Sequence, residues 1–360
     1  AKMTSSSKLA MRKRKRNSMA RLLGVLLGLL PLGLALSSCE RIYEELEPCP
    51  HGVSLRFVYD YNMEYANSFA RSVDCLTLYI YDADGEYVGT RIVQGAALAE
   101  ESYRMQLELE EGTYRFLAYG GIACEDRSFR PEEEPAAGSR IEDLRVAMDL
   151  DRIAAPVVAD RRLHDLFWGE LTLATGDLYR EGTVEMMKNT NNIRVVLQQE
   201  SGEPIDAEDF TFRITDNNSL FDYRNDLLRE GVAPVTYAPW VTGQAHTGVS
   251  ILGDTVAEES VGVAYAEMST SRLMTGNDSR LQITRRSDGA TVVDFPLLTY
   301  LALLRSERYA LPPYNMTDDQ EYLDRESDYV LFFFLRPDHS WLDTKIVVNN
   351  WVVRINQVEL

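Results

Sequence analysis

The residues of this chain best suited to covalent or metal chemistry are its four cysteines and four histidines. No two cysteines form a CxxC pair, and consecutive histidines are at least 82 residues apart along the chain. Zinc sites usually combine such ligands at short spacing. The sequence therefore predicts no metal site and no cofactor. The residues concerned are Cys39, Cys49, Cys75, Cys124, His51, His164, His246 and His339.

Three further motifs approach the pattern of an ion site or an active site without completing it. DADG (82–85) lacks the remaining ligands of a calcium loop, so we interpret it as a hairpin turn. GVSILG (248–253) lacks the second glycine of a nucleophile elbow, and the acidic run at 132–134 is typical of a solvated loop. Without a P-loop, a dinucleotide fingerprint or an HExxH motif, the sequence predicts no enzyme.

Cys39 lies at a boundary of composition. Before it, a basic cluster at 12–21 precedes an apolar run of 15 residues at 22–36, which is shorter than the ~20 residues of a membrane-spanning helix. This pattern predicts a secretory signal over 1–38. The segment LSSC (36–39) resembles the lipobox of bacterial lipoproteins, which implies that Cys39 becomes the first residue and carries acyl chains that tether the protein to a membrane. An ordinary secretory signal with an incidental cysteine is the alternative.

The charge of the chain excludes some classes of partner. Lys and Arg number 37 against 56 Asp and Glu, a formal net charge of −19. Removing residues 1–38 takes away eight bases and no acids, which leaves 29 bases against 56 acids and a net charge of −27. So acidic a protein is a poor ligand for nucleic acid. The acidic stem at 39–50 is typical of a solvated linker, and it also resembles the surface-export signal of lipoproteins in Bacteroidetes.

The remaining cysteines are expected to form one disulfide, because an exported chain meets an oxidising compartment. We favour Cys49–Cys75, which would connect the start of the first strand to a neighbouring strand, although three pairings are open. The four tryptophans could form a platform for a sugar or pack in the core, and packing is their commoner fate. These are Trp168, Trp240, Trp341 and Trp351.

Alternation of apolar and polar residues predicts β-strands along the whole chain. In VSLRFVYDY (53–61) the inward residues begin with Val53, Leu55 and Phe57, and in SYRMQLELE (102–110) they include Met105 and Leu107. Hairpins are predicted at 82–85 and at 111–112. Because the connections are too short for crossover helices, we expect an all-β Greek-key sandwich rather than a parallel sheet. A length of 322 residues after the signal predicts two domains. The strand pattern breaks around Gly176 and Gly182, so we expect the domains to be 51–178 and 179–360.

Several blocks, taken in order, resemble the fimbrial-subunit lipoproteins of Bacteroidetes, the FimB- and Mfa-type anchors. The blocks are CPHGVSLRFVYDYNMEYANSF, VDCLTLYIYDADGEYV, MKNTNNIRVVLQ, MSTSRLM and IVVNNWVV. The resemblance implies two transthyretin-like β-sandwich domains and lipid attachment in the outer membrane at the base of a type V pilus, with fimbrial subunits as partners. In such pili a subunit donates a β-strand to its neighbour, and an arginine-specific protease removes the first strand of stalk subunits but leaves anchors uncut.

The residues give this resemblance a physical form. The C-terminal run WVVRINQVEL (351–360) is a candidate donor strand, with Trp351, Val353 and Ile355 on one face, although it could equally close its own domain. Arg41 and Arg71 are candidate cleavage points on either side of the first strand. Retention of that strand would make an anchor, whereas its removal would make a stalk or tip subunit.

Two other functions stay open at the level of sequence. A surface lipoprotein that binds glycans for polysaccharide uptake would need exposed, coplanar tryptophans. A surface hydrolase would need a polar cluster in a cleft, and no motif indicates one. We therefore expect a non-catalytic protein on the outer membrane at the base of a fimbria.

Overall fold

The computed structural model describes residues 51–150, 157–158, 161–176, 178–252, 255–305, 309–348 and 351–355. The predicted signal (1–38) and stem (39–50), with Cys39, Arg41 and Cys49, lie outside the described residues. The side chains of Trp351, Val353 and Ile355 lie outside them as well.

The described residues of the first part of the chain form ten strands and one short α-helix. The helix is α1 (Phe69–Ser72). The strands are β1 (Gly52–Val58), β2 (Cys75–Asp82), β3 (Tyr87–Gln94), β4 (Met105–Glu108), β5 (Thr113–Gly120), β6 (Phe129–Pro131), β7 (Arg145–Met148), β8 (Val157–Val158), β9 (Phe167–Ala174) and β10 (Arg180–Lys188).

The described residues of the second part form eleven strands and two α-helices. The helices are α2 (Leu297–Leu304) and α3 (Asp319–Arg325). The strands are β11 (Thr190–Gln199), β12 (Phe210–Asp216), β13 (Leu220–Asp222), β14 (Val235–Tyr237), β15 (Val241–Leu252), β16 (Thr255–Ser271), β17 (Arg280–Arg285), β18 (Thr291–Pro296), β19 (Asp328–Leu335), β20 (Trp341–Val348) and β21 (Trp351–Ile355). The predicted all-β class is confirmed.

The first sheet has seven strands in the order β3-β2-β5-β9-β10-β1-β4. Strand β1 runs parallel to β10 and antiparallel to β4. The inward faces predicted for β1 and β4 are confirmed, since Val53, Leu55 and Leu107 are at most 2% exposed. Gly52 begins β1 with φ +144°, and a Cβ there would lie 1.9 Å from the carbonyl oxygen of Leu107. Glycine is thus required where β1 enters the sheet.

The predicted hairpin at 82–85 is confirmed. Strands β2 and β3 are antiparallel, and Gly85 adopts φ +80° in the turn between them. The Asp82 carboxylate accepts hydrogen bonds from the backbone N–H groups of Asp84 and Glu86, both at 2.9 Å. This pattern is an Asx turn, which supports the hairpin interpretation of DADG over a calcium loop.

The predicted hairpin at 111–112 is wrong. Strand β4 pairs with β1, while β5 pairs with β2 and β9. Met105 and Leu107 of β4 and Phe116 of β5 nevertheless belong to the same apolar core. The chain therefore passes across this core, from the edge strand β4 to β5 in the interior of the sheet. The prediction failed because the alternation of apolar and polar residues specifies which face of a strand is buried and not which strand pairs with it.

The rest of the chain forms three smaller sheets. Their strand orders are β15-β16-β11-β19-β20-β21, β18-β17-β12-β14-β8 and β13-β7-β6. The six-stranded and five-stranded sheets share one apolar core. It contains Val195 of β11, Leu331 of β19, Ile214 of β12 and Ile283 of β17, each 0% exposed. The two sheets therefore pack face to face as in a β-sandwich. Most pairs are antiparallel, and β1–β10, β11–β19 and β8–β14 are parallel.

The predicted domain boundary at 178/179 falls before β10, which belongs to the first sheet. The chain passes from β10 to β11 of the six-stranded sheet through Asn189 alone. The division into domains at 51–178 and 179–360 stays a prediction. Within the described part of the chain, no helix has both the length and the apolar character needed to cross a membrane.

Cys75 forms a disulfide, but with a different cysteine from the one predicted. Cys75 pairs with Cys124, with 5.6 Å between the Cα atoms, so the pairing Cys49–Cys75 is wrong. The backbone N–H of Gly121 donates to the carbonyl of Cys75 and ties the loop after β5 to the start of β2. Because the start of β2 lies beside the end of β5, Cys75 meets Cys124 in the loop after β5 although 49 residues separate them.

Candidate functional site

A buried amide pair marks the point where the chain changes sheets. The Asn189 Nδ2 donates to Asn225 Oδ1 at 2.6 Å, and the Asn225 Nδ2 donates to Asn189 Oδ1 at 3.1 Å. Both residues are at most 2% exposed. Since buried amides that lack partners are costly, this reciprocal pair fixes both side chains and the crossing between the sheets.

The residues next to Asn189 extend this polar cluster. Lys188 Nζ lies 3.2 Å from one oxygen of Asp165, and the hydroxyl of Thr190 donates to the other oxygen at 2.8 Å. Asn191 donates to the backbone carbonyl of Ser271, and Asn192 donates to the Asp328 carboxylate. We call residues 188–192 with their partners the crossover cluster.

A buried ion pair stands beside the crossover cluster. Two guanidinium nitrogens of Arg272 each lie 2.7 Å from an oxygen of Asp324 in a bidentate arrangement. The two side chains are 11% and 6% exposed. The Arg272 side chain also donates to the carbonyl of Asn225, which connects the end of β16 to both α3 and the amide pair. An ion pair of this kind fixes geometry more than it adds stability.

An open cleft of about 430 Å³ adjoins the crossover cluster where β1 ends. Tyr59 and Phe167 line it on the side of the first sheet, and Arg325 and Glu326 line it on the side of α3. The Arg325 guanidinium lies over the rings of Tyr61 and Tyr65, 4.1 and 4.4 Å from their centroids. These cation–π contacts join the segment after β1 to α3.

Glu326 is the buried acid of this cleft. Its Oε1 accepts the backbone N–H groups of Ser327 at 3.0 Å and Asp328 at 3.1 Å. Its Oε2 is buried without a hydrogen-bond partner among the described residues. Burial, opposed by those backbone hydrogen bonds, raises the pKa of Glu326 from 4.5 to about 7. The carboxyl therefore titrates near neutral pH.

The other motifs considered in the sequence analysis lie in surroundings that explain them without a catalytic or binding role. GVSILG begins inside strand β15, without the strand-to-helix turn of a nucleophile elbow. The Glu134 carboxylate accepts a hydrogen bond from the Tyr79 hydroxyl, and Glu132 lies 4.0 Å from Arg145. Trp168 and Trp341 pack against the larger core and do not form an exposed platform. These features favour structural roles.

The C-terminal candidate strand is present as β21. It pairs antiparallel with β20 from Val348↔Trp351 to Thr344↔Ile355. Among the described strands it has no second neighbour and so forms one edge of the six-stranded sheet. Donation of Trp351, Val353 and Ile355 to a partner stays a prediction.

One cluster was missed by the sequence analysis. Asp74, Cys75, Cys124 and His164 each offer one possible metal-ligand atom, and the four atoms lie within 4.8 Å of one another. Their positions along the chain are too far apart for a spacing motif. Only the neighbouring positions of β2 and β5, with the segment before β9, bring them together.

Two of the sequence segments that carry the family resemblance contact each other in the structure. MKNTNNIRVVLQ supplies the crossover cluster, and MSTSRLM supplies Ser271 and Arg272. A run of asparagines at a strand start is unusual because Asn has low β-propensity, and that is the signal that could have indicated the cluster.

The fold and the site define an all-β protein of sandwich type, with the crossover cluster where the chain passes from one sheet to the next. The chain belongs to the family described as fimbrillin-A associated anchor proteins Mfa1 and Mfa2, which it matches over residues 46–357. Membership supports a role in fimbrial anchoring and adhesion at the cell surface, with fimbrial subunits as partners.

Individual relatives agree with this family. The chain is 21% identical to the minor fimbrium anchoring subunit Mfa2 of Porphyromonas gingivalis, over 97% of this chain and 100% of that protein. The crystal structure of that Mfa2 has a TM-score of 0.60 at 16% identity, covers 85% of this chain and 99% of its own, and shows the fold alone.

Two structures from Bacteroides thetaiotaomicron are more similar. One, described as an adhesin, is 53% identical with a TM-score of 0.76, over 86% of this chain and 100% of its own. The other, described among polysaccharide binding proteins, is 29% identical with a TM-score of 0.70, over 86% of this chain and 99% of its own.

Proposed function

We propose that this protein is an outer-membrane lipoprotein, acylated at Cys39, that anchors or caps a type V fimbria. It holds fimbrial subunits by exchange of β-strands and has no catalytic role. Its stem at 39–50 would connect the lipid to β1, and its C-terminal strand would engage a fimbrial subunit.

The observation that carries the proposal is the position of β1. This strand lies between β10 and β4, and its side chains Val53, Leu55 and Phe57 are at most 3% exposed. Burying each of them contributes about 1.5–3 kcal/mol. A subunit that polymerises by losing its first strand would have to expose this core, whereas an anchor would keep it filled.

The two candidate cleavage points would have different consequences. A cut after Arg41 would remove the lipid and leave β1 in place. A cut after Arg71, whose side chain is 72% exposed in α1, would separate β1 from the rest of the sheet. An anchor requires that both bonds stay intact, because a cut after Arg41 would remove the tether and a cut after Arg71 would separate the tether and β1 from the rest of the chain.

The position of β21 supports the strand-exchange part of the proposal. A strand with one neighbour can leave its sheet by breaking one ladder of backbone hydrogen bonds, and those bonds can form again with a partner's open edge. Strand β1 would have to break two ladders. The C-terminal strand is therefore the better donor.

The decisive experiment deletes the gene in a strain that makes fimbriae and restores it with variants. We expect fibres shed into the medium after deletion and after Cys39→Ser, because neither strain has the lipid tether. The wild-type gene and the matched control Cys49→Ser should restore attached fibres in electron micrographs. Normally attached fibres in the deletion strain would contradict the proposal.

A second candidate function is glycan binding at the cell surface. It is favoured by the relative described among polysaccharide binding proteins. Trp240, directly before strand β15, is half-buried, and we choose it as the tryptophan to test for glycan binding. Saturable binding of an oligosaccharide that is lost in Trp240→Ala, together with attached fibres in the deletion strain, would favour this function over anchoring.

A further inference from the structure

The cluster of Asp74, Cys75, Cys124 and His164 has the composition of a zinc site. His164 Nε2 lies 3.2 Å from Asp74 Oδ1, and the Cys124 sulfur lies 3.1 Å from the same oxygen. Tetrahedral zinc, with bonds of about 2.3 Å to sulfur and about 2.0–2.2 Å to nitrogen or oxygen, holds its ligand atoms roughly 3.3–3.8 Å apart. The nitrogen, the carboxylate oxygen and one sulfur thus need only small movements to bind one ion.

A second carboxylate orients the histidine. His164 Nδ1 lies 3.1 Å from Asp126 Oδ1, on the side of the ring away from Asp74. A proton on Nδ1, donated to Asp126, leaves the lone pair of Nε2 free to bind a metal. Histidines that bind zinc commonly have such a carboxylate behind them. The histidine side chain is 14% exposed, so its ring position is set by its surroundings.

The surrounding backbone is held by hydrogen bonds that do not involve the disulfide. The Arg161 guanidinium donates to the carbonyls of Asp126 and Arg127, at 2.7 and 3.0 Å. The backbone N–H of His164 donates to the Ser128 hydroxyl at 2.8 Å. These bonds join the loop after β5 to the segment before β9, and none of them involves a cysteine side chain.

Gly121 shows how closely these two segments approach. It adopts φ +98°, and a Cβ there would lie 2.1 Å from the carbonyl oxygen of Asp165. The loop that carries Cys124 is therefore packed against the segment that carries His164 through backbone contact. The arrangement of the four ligands is a property of the fold and not of the disulfide alone.

We propose that the reduced form of this protein binds one Zn²⁺ through Cys75, Cys124, His164 and Asp74. A low-molecular-weight dithiol reduces the Cys75–Cys124 bond, which takes up two electrons and two protons to give two thiols, while the dithiol becomes its own disulfide. Zn²⁺ then displaces both thiol protons and binds two thiolates, the imidazole and the carboxylate. In the oxidised form the sulfurs are bonded to each other and provide no thiolate. Disulfide and zinc are thus alternative crosslinks of the same loop.

The first test measures zinc in the purified full chain by native mass spectrometry. The oxidised chain and a chain reduced by dithiol, then freed of it, are each given one equivalent of Zn²⁺. We expect one tightly bound zinc per reduced chain and none per oxidised chain. Binding should also raise the Tm of the reduced chain, because zinc binds the folded form. Equal zinc content in both forms would overturn the proposal.

Variants identify the ligands. His164→Ala keeps the disulfide cysteines and should abolish zinc binding after reduction, whereas His339→Ala, a half-buried histidine elsewhere, should leave it unchanged. Asp126→Asn should weaken affinity by roughly 10–100-fold, as expected of a group that orients a ligand. Zinc held by Cys39 or Cys49 would be unaffected by His164→Ala, so unchanged binding in that variant would overturn the assignment.

Circular dichroism of the reduced chain completes the test. We expect the β-sheet signal to persist after reduction, since the hydrogen bonds described above do not depend on the disulfide. Loss of that signal would overturn the proposal, because the ligands come from segments that only the fold brings together. Cobalt(II) in place of zinc should give the visible absorption of a tetrahedral thiolate site in the wild type and not in His164→Ala.

Discussion

The first and the last described strands of this protein occupy opposite situations. Strand β1 has a neighbour on each side, and its apolar side chains lie in a closed core. Strand β21 has one described neighbour and forms the edge of its sheet. Removing β1 would break two ladders and open a core, while removing β21 would break one ladder. The comparison shows an enclosed strand at the start of the described part of the chain and an edge strand at its end.

The two sheets also differ in how polar groups are used. Strand β2 of the first sheet is buried on both faces, with Leu78 in one core and Tyr79 in the other. The six-stranded sheet begins instead in the crossover cluster and beside the cleft that contains Glu326. Both regions therefore have apolar cores, and the second has in addition a polar cluster and a carboxyl that titrates near neutral pH.

The largest effect is expected in the first sheet. Leu55→Ala removes a side chain that is 0% exposed in β1, and we expect the free energy of unfolding to fall by about 2–5 kcal/mol. Denaturation by urea, followed by circular dichroism, measures the change. The loss has two parts, the lost burial of the methyl groups and the cavity that remains.

The matched control for Leu55→Ala is Ile92→Ala in β3. Ile92 is 57% exposed at the edge of the same sheet, so its replacement should change the free energy of unfolding by less than about 0.5 kcal/mol. Similar losses in the two variants would show that β1 is not held more firmly than an edge strand, which would contradict the distinction between enclosed and edge strands.

A rise in pH should lower the free energy of unfolding through Glu326. The pKa of Glu326 is about 7 in the folded chain against 4.5 when unfolded, so between these values the folded state holds a proton that the unfolded state has lost. The free energy of unfolding therefore falls as pH rises from 4.5 to 7. We expect Glu326→Gln to remove this fall and to be more stable than the wild type at pH 8 by about 1–3 kcal/mol.

Chemical denaturation at pH 5 and pH 8 measures the effect of Glu326→Gln. Its control is Glu203→Gln, an exposed glutamate, which should leave the difference between the two pH values unchanged. A variant of Glu326 with the same pH dependence as the wild type would show that this carboxyl is not the group that titrates.

The smallest effect is local and compares the two strands directly. Hydrogen exchange of backbone amides should be at least about tenfold faster in β21 than in β1, since an edge strand can open without global unfolding. Peptide-level mass spectrometry resolves residues 52–58 from 351–355. Equal protection of the two segments would argue that β21 leaves its sheet only when the whole protein unfolds, and would count against the proposal that it is a donor strand.

Much of the local structure was readable from the sequence. Alternation in VSLRFVYDY identified Val53, Leu55 and Phe57 as inward residues, and DADG identified the turn between β2 and β3. Both features depend on residues close together in the chain. The hairpin expected at 111–112 failed for a different reason, because strand partners are chosen by the shared core and not by the turn between them.

The candidate sites were less accessible to prediction. Cys124 rather than Cys49 is the partner of Cys75, and the candidate ligands grouped with them come from three separate segments. The pKa of Glu326 depends on burial between α3 and the first sheet, which no local pattern records. In each case the deciding contacts join residues far apart in sequence.

By itself the sequence determined the all-β class, the buried faces of β1 and β4 and the acidic composition, because the pleat of a strand and the charge of a side chain are local properties. Only the tertiary structure decided which strands are neighbours, which cysteine meets Cys75, and that β1 is enclosed while β21 forms an edge. The physical reason is that pairing and burial follow from packing a common core, to which distant segments contribute together.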